Sequence, residues 1–218
     1  MIDEEINRNV MALFHYWKDR SIPGVMDIIP SYSSLTLTYD AVLIRNQNKI
    51  SSAFEFMKRK AEDSIKNCDW KKRPPPRLME IPICYHLSLA PDLKTLAAEK
   101  SLSVEEVIQL HSDKTYRVYM IGFLPGFAYM GKVDARIALP RKSTPRILVP
   151  AGSVGIAGEQ TGIYPLDSPG GWNIIGQTPL KLFDPEKDDS VLLRAGDEVK
   201  FTPVSLKEFI KQKELQSR

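Results

Sequence analysis

The stretch "RILVPAGSVGIAGEQTGIYPLDSPGGWNIIGQTPLKLF", residues 146–183, decides what kind of fold this chain makes. Short apolar runs alternate with glycine and proline at intervals too close for a helix. That spacing marks short strands joined by tight turns, the pattern of a closed or nearly closed β-structure. The pattern extends outward to "YRVYMIGF" at 116–123 and "SVLLRAGDEVKF" at 190–201. Beyond it, "SLKEFIKQKELQSR" at 205–218 reads as a short helix with a charged tail.

Upstream the period changes. Pro91 and Asp92 suit the first turn of a helix, where a missing N–H and a negative charge are both tolerated. Ser103 and Glu106 have the spacing of a capping box for a second helix, ending near His111. Further back, Ile6, Val10, Leu13, Phe14 and Trp17 make one face of a helix over residues 4–19, and Pro23-Gly24 ends it. Two strands follow, "VMDIIPS" and "SLTLTYD". A second helix over 50–66 presents Ile50, Phe54, Met57, Ala61 and Ile65 on one side, and "RLMEIPICY" is again strand-like. The order α-β-β-α-β is that of a ferredoxin-like α/β sandwich with its first strand missing, which leaves a sheet edge to be covered. The expected fold class is therefore α+β, with the sandwich in residues 1–88 and a β-barrel in residues 89–218.

Composition narrows the function. The chain has 218 residues, 43% of them hydrophobic, with 8 Phe, 8 Tyr and 3 Trp, enough to bury a core without staples. No apolar run reaches the roughly 18 residues of a membrane span. The polar start "MIDEEINRNV" is unlike a secretory signal, and Cys68 and Cys84 have no metal or disulfide spacing. A cytoplasmic protein with reduced thiols is expected. A net charge of +3 argues against a nucleic-acid binder. The one basic run, "KKRPPPR" at 71–77, is broken by prolines and reads as an extended, solvated connector, with a phosphate patch as the other reading.

No catalytic motif is self-contained. Gly152, Gly155 and Gly158 match neither phosphate-loop spacing, and Glu159 stands where a lysine would. "AGSVG" around Ser153 is not followed by the helix that a nucleophile elbow needs, and His15, His86 and His111 all precede it. Those histidines lack metal-ligand spacing, so no metal or bound cofactor is expected. Arg141 and Arg146 flank a proline-rich turn near Phe127 and Tyr129. They suit bidentate recognition of a carboxylate, whether a ligand's or one of the chain's own. His111 suits either a helix C-terminus or a general base. Tyr164 and Trp172 suit either a core or a groove wall.

The run 122–184 is distinctive. Its elements are Gly122-Phe123 with Pro125-Gly126-Phe127, Pro140-Arg141, Thr144-Pro145-Arg146, Val149 to Val154, Gln160 to Pro165 and Ser168-Pro169-Gly170-Gly171-Trp172. Together with Pro91-Asp92-Leu93 and Leu110-His111-Ser112, they closely resemble the family of 5-oxoprolinase B subunits, allophanate hydrolase subunit 1-type domains and Kip-type inhibitors of a sporulation histidine kinase. The resemblance implies a cyclophilin-like barrel that pairs with a homologous barrel, as in the carboxyltransferase portion of urea carboxylase. It further implies an enzyme subunit that works only with the A and C subunits of 5-oxoprolinase. That complex uses ATP to open 5-oxoproline to L-glutamate, and this chain holds no cofactor or metal. The expected substrate groove contains Arg141, Arg146, Gln160, Tyr164 and Trp172, with His111 a candidate for proton transfer. The alternative is a non-catalytic inhibitor that binds a histidine kinase. Two departures stand out: the first helix begins almost at Met1, and "CYHLSLAPDL" stands where the family has a glycine-rich turn.

Overall fold

The computed structural model describes residues 2–71 and 75–216, which form two compact units, Met1–Pro75 and Pro76–Arg218. Of the basic run expected as a connector, residues 72–74 lie outside the described residues.

The first unit opens with helix α1 (Glu4–Lys18), whose first turn is capped by the Asp3 carboxylate accepting from the Ile6 N–H. Strands β1 (Val25–Pro30) and β2 (Leu35–Tyr39) pair antiparallel as a two-stranded sheet, and among the described residues no third strand joins them. Helices α2 (Ala41–Asn48) and α3 (Ala53–Asn67) follow. The sequence expectation missed α2. Its start signal is Asp40, whose side chain accepts from the N–H groups of Val42 and Leu43. The expected face of α3 is also corrected. Met57 is buried, but Phe54 is 63% and Ile65 54% exposed, while Ala53 and Ser64 turn inward. The reason is polar: the Trp17 indole N–H donates to Ser64 Oγ at 3.0 Å, and that buried bond fixes the rotation of the helix. Trp17, Ile44, Ala53 and Met57 form the core of this unit.

The second unit is built on a curled seven-stranded sheet. Its strands are β3 (Leu78–Ile83), β4 (Thr115–Ile121), β5 (Ala128–Gly131), β7 (Ser153–Ala157), β8 (Gln160–Ile163), β10 (Asn173–Gln177) and β11 (Glu198–Pro203), in the order β10-β7-β8-β5-β4-β11-β3. A separate ribbon pairs β6 (Arg146–Val149) with β9 (Ser168–Gly170). Helices α4 (Leu93–Glu99), α5 (Val104–Ser112) and α6 (Leu206–Gln216) complete it. The capping box on α5 is present as expected, with Ser103 and Glu106 bonding each other's backbone. Within the expected strand at 190–201, only the part from Glu198 onward is strand.

β3 is the clearest departure. The sequence reading grouped it with the first unit, yet it pairs in parallel with β11 along its whole length, and the expected boundary at residue 88 lies beyond it. Arg77 anchors the strand from below by donating Nε and Nη2 to the two oxygens of Asp197. At the other end the two edges of the sheet meet. Cys84, just past β3, exchanges backbone hydrogen bonds of 2.8 and 3.0 Å with Gln177 at the end of β10. Gly176 permits this approach: a β-carbon there would stand 2.8 Å from Ile83 Cγ2 and 3.1 Å from the Cys84 oxygen. The inside of the curl is apolar, filled by residues such as Val118, Met130, Val154, Ile156, Ile163 and Phe201.

Candidate functional site

Strand alternation sends successive side chains of β5, β7 and β8 to opposite faces. Ala128, Met130, Val154, Ile156 and Ile163 enter the core. On the other face, Phe127, Val149, Tyr164 and Ile174 form a second cluster, with Leu124, Tyr129 and Trp172 packed against it. Ring centroids lie 5.4 Å apart for Phe127 and Trp172, 5.2 Å for Phe127 and Tyr164, and 5.9 Å for Tyr129 and Trp172. Edge-to-face pairs of this kind hold aromatic planes at fixed angles.

The glycines of the region explain the packing. Gly155 and Gly162 face each other across β7 and β8. A β-carbon on either would stand 3.0 Å from an atom of Trp172, so the two bare positions make the seat in which the tryptophan lies. Gly170 and Gly171 act in the same way on the other side. A β-carbon on Gly170 would stand 2.5 Å from Tyr164 Oη, and one on Gly171 would stand 3.4 Å from Arg141 Nη2. The Trp172 backbone N–H also donates to the Tyr164 phenol. Burial pushes that phenol up; the Trp172 bond and the charges of Arg141 and Arg146 oppose the shift.

Beside the aromatic wall lies a charged cluster. Asp92, the residue before α4, makes no cap bond. Its Oδ1 instead takes Lys142 Nζ at 2.8 Å and Arg146 Nη2 at 2.6 Å, and its Oδ2 accepts from the Ile174 N–H at 2.7 Å. The Asp92 N–H returns a bond to the Ile174 oxygen, so the edge of β10 is capped there too. Burial opposes ionisation of Asp92, but the bonds from Arg146, Lys142 and Ile174 outweigh it and hold the carboxyl below its ordinary value. Two cations against one carboxylate leave the cluster net positive. Arg146 Nη1 is buried with no acceptor within the protein, and Arg141 is exposed. The arrangement can take an anionic oxygen beside an aromatic plane.

The expected site residues are placed unequally. Arg141, Arg146, Tyr164 and Trp172 come together. Gln160 shares their face of β8, two residues from Gly162, but at the turn that joins β7 and β8. His111 lies inside the core, fully buried, with Tyr85 Oη at 2.7 Å from Nδ1 and Thr161 Oγ1 at 2.9 Å from Nε2. Burial lowers its pKa to about 3. Sequence reasoning missed Lys142 and the role of Asp92. The only signal for Asp92 was its place in Pro91-Asp92-Leu93, which also fits an ordinary helix start. Ser153 opens a strand that turns into another strand, with no elbow. Among the described residues, no group of His, Cys, Asp and Glu could hold a metal ion, and no helix is long and apolar enough to cross a membrane.

Residues 1–193 match the family described as carboxyltransferase domain, subdomain C and D. The chain belongs to that family. It is 46% identical over 215 residues to the B subunit of 5-oxoprolinase from Bacillus subtilis (strain 168), covering 98% of this chain and 90% of that protein. It is 44% identical over 183 residues to the 5-oxoprolinase B subunit of Escherichia coli O157:H7, covering 84% and 79%. Among solved structures, TTHA0988 superposes with a TM-score of 0.80 at 37% identity over 94% of this chain. The chain spans only 38% of that protein's length.

Proposed function

We propose that this carboxyltransferase-family chain is the B subunit of an ATP-dependent 5-oxoprolinase, active only with its A and C partner subunits, which opens 5-oxoproline to L-glutamate in the cytoplasm. The observation that carries this reading is the donor set at the aromatic wall: exposed Arg141 beside Gly171, and Arg146, which pairs through β6 with Gly170 and whose charge acts on the Tyr164 phenol. A carboxylate is the anion whose two oxygens a guanidinium fork fits. Relatives named as 5-oxoprolinase B subunits supply the substrate class. ATP is handled by the other subunits. His111 is structural in this reading, since both ring nitrogens are engaged inside the core, and Gln160 lines the far end of the groove. The same proposal takes the second unit as a cyclophilin-like barrel, supported by the meeting of its sheet edges at Cys84 and Gln177, and the first as a reduced ferredoxin-like sandwich. The homologous barrel of the C subunit is the partner that faces the groove. Inhibition of a histidine kinase rests on family kinship alone.

The test is to co-express the chain with the A and C subunits and follow glutamate released from 5-oxoproline with ATP. The wild-type complex releases glutamate, and Arg141→Ala cuts kcat/KM about 10- to 100-fold, the worth of a hydrogen bond to a charged group. An assembled wild-type complex without activity refutes the proposal.

A further inference from the structure

A line of hydrogen bonds crosses the apolar core of the second unit. Tyr85 Oη meets His111 Nδ1 at 2.7 Å, His111 Nε2 meets Thr161 Oγ1 at 2.9 Å, and Thr161 Oγ1 donates to the Gly155 oxygen at 3.1 Å. Tyr85, His111 and Thr161 are all buried. The direction of the line follows from its last bond. The Thr161 hydrogen is spent on Gly155, so Thr161 Oγ1 accepts from Nε2–H, and Nδ1 accepts from the Tyr85 hydroxyl. In this order every hydrogen in the line has an acceptor and the imidazole is neutral. Phe201 stacks on the ring at 4.7 Å, and Tyr116 gives its hydroxyl to the His111 backbone oxygen at 2.9 Å.

The line ends beneath the Trp172 seat. Gly155 and Gly162 have no side chains to interlock on the outer face, so the register of β7 and β8 is held from the core side, where Val154, Ile156 and Ile163 are buried. A slip of one residue would carry the bare positions to the other face. Thr161 stands opposite Ile156 in the same strand pair, and its hydroxyl reaches diagonally to Gly155. It therefore clamps β7 to β8 from the core side at the place where the outer face offers no clamp.

We propose that Tyr85, His111 and Thr161 are positioning residues for Trp172: through Gly155 they lock the register of the glycine pair and so set the height and tilt of the indole at the groove. A satisfied polar line adds little net stability over an apolar one, but it is directional where packing is not. The link to catalysis rests on the proposed place of Trp172 in the substrate groove; the link to the indole does not.

The test labels the chain with 5-fluorotryptophan. Three resonances arise from Trp17, Trp70 and Trp172, and Trp172→Phe assigns one of them. Thr161→Val and His111→Phe shift or broaden the Trp172 resonance while those of Trp17 and Trp70 stay in place, and Thr161→Ser restores it. If Thr161→Val does not fold, Tyr85→Phe, which removes only the first hydroxyl, gives a smaller shift in the same direction. An unmoved Trp172 resonance in the folded variants overturns the proposal. In the active complex, Thr161→Val raises KM for 5-oxoproline about fivefold with kcat changed less, as misplacement of a binding surface requires. An equal fall in kcat alone overturns it. A wild-type complex without activity refutes the function proposed above and leaves the resonance to decide this inference.

Discussion

Trp172 lies directly over Gly162, with its Cζ3 3.0 Å from the point where a β-carbon on that glycine would stand. The neighbours on the other sides are no softer. The Ala128 backbone oxygen would be 3.0 Å away and Phe127 Cζ 3.2 Å. Gly162→Ala therefore has to move the indole or bend the strand. Overpacking of this size costs about 2 kcal/mol. Urea unfolding should show that loss together with an altered Trp172 fluorescence. A variant as stable as wild type with unchanged emission would show that the seat is loose.

Asp92 carries a second prediction. Asp92→Asn keeps the shape but leaves Lys142 and Arg146 without a counter-charge. Removal of one partner from a buried ion pair costs about 3–5 kcal/mol. The low end, about 3 kcal/mol, is expected here because the side chains of Lys142 and Arg146 stay 30% and 29% exposed and water screens them. Freed from Asp92, the two cations should also bind a simple carboxylate more tightly. Calorimetry with acetate on both proteins checks the sign.

Stability should fall with acid earlier than carboxylates alone would cause. Burial holds the folded pKa of His111 at about 3, against 6.5 for an ordinary histidine. Between those values the unfolded chain binds a proton that the folded chain does not, so stability declines as pH drops through 6.5 toward 3. One such group contributes a slope of about 1.4 kcal/mol per pH unit. His15, lowered mainly by burial with Asp19 opposing, has the same sign, and Asp92 adds its loss only below the ordinary range of an aspartate. Urea unfolding at pH 7, 6 and 5 should give His111→Gln a shallower slope than wild type. Equal slopes would mean that His111 charges in the folded state.

Closure of the sheet makes a local prediction. Gly176→Ala drives a methyl group against Ile83 and the Cys84 oxygen. The Cys84 and Gln177 amides should then exchange with deuterium much faster, while the Val118 and Thr161 amides, on strands that do not pair with β10, keep their protection. Uniform loosening of all four would point to global destabilisation instead.

Much of this was legible in the sequence, and the limits were physical. Elements whose signals are local came through: α5 with its Ser103–Glu106 box, α1 before Pro23-Gly24, and the glycine-punctuated strands from Thr115 onward. What failed depended on distant partners. β3 reads as an ordinary strand, and nothing near it says that its neighbour is β11, far along the chain. The rotation of α3 was set by Trp17 reaching Ser64, a polar contact invisible to a count of apolar positions. In the site, Arg141, Arg146, Tyr164 and Trp172 sit among glycines dense enough to attract notice. Asp92 did not, because the bonds that define it come from Lys142, Arg146 and Ile174. His111 was legible as a chemical group but not as a buried one, since burial is a property of the surrounding fold.

The parallel pairing of β3 with β11 has a consequence for biosynthesis. Residues 78–83 leave the ribosome well before their partner strand at 198–203 does. Until then the last strand of the curl has nothing to lie against, and Cys84 has no fixed place from which to meet Gln177. The second unit therefore cannot close until residues 198–203 have emerged, whereas the first can settle before then.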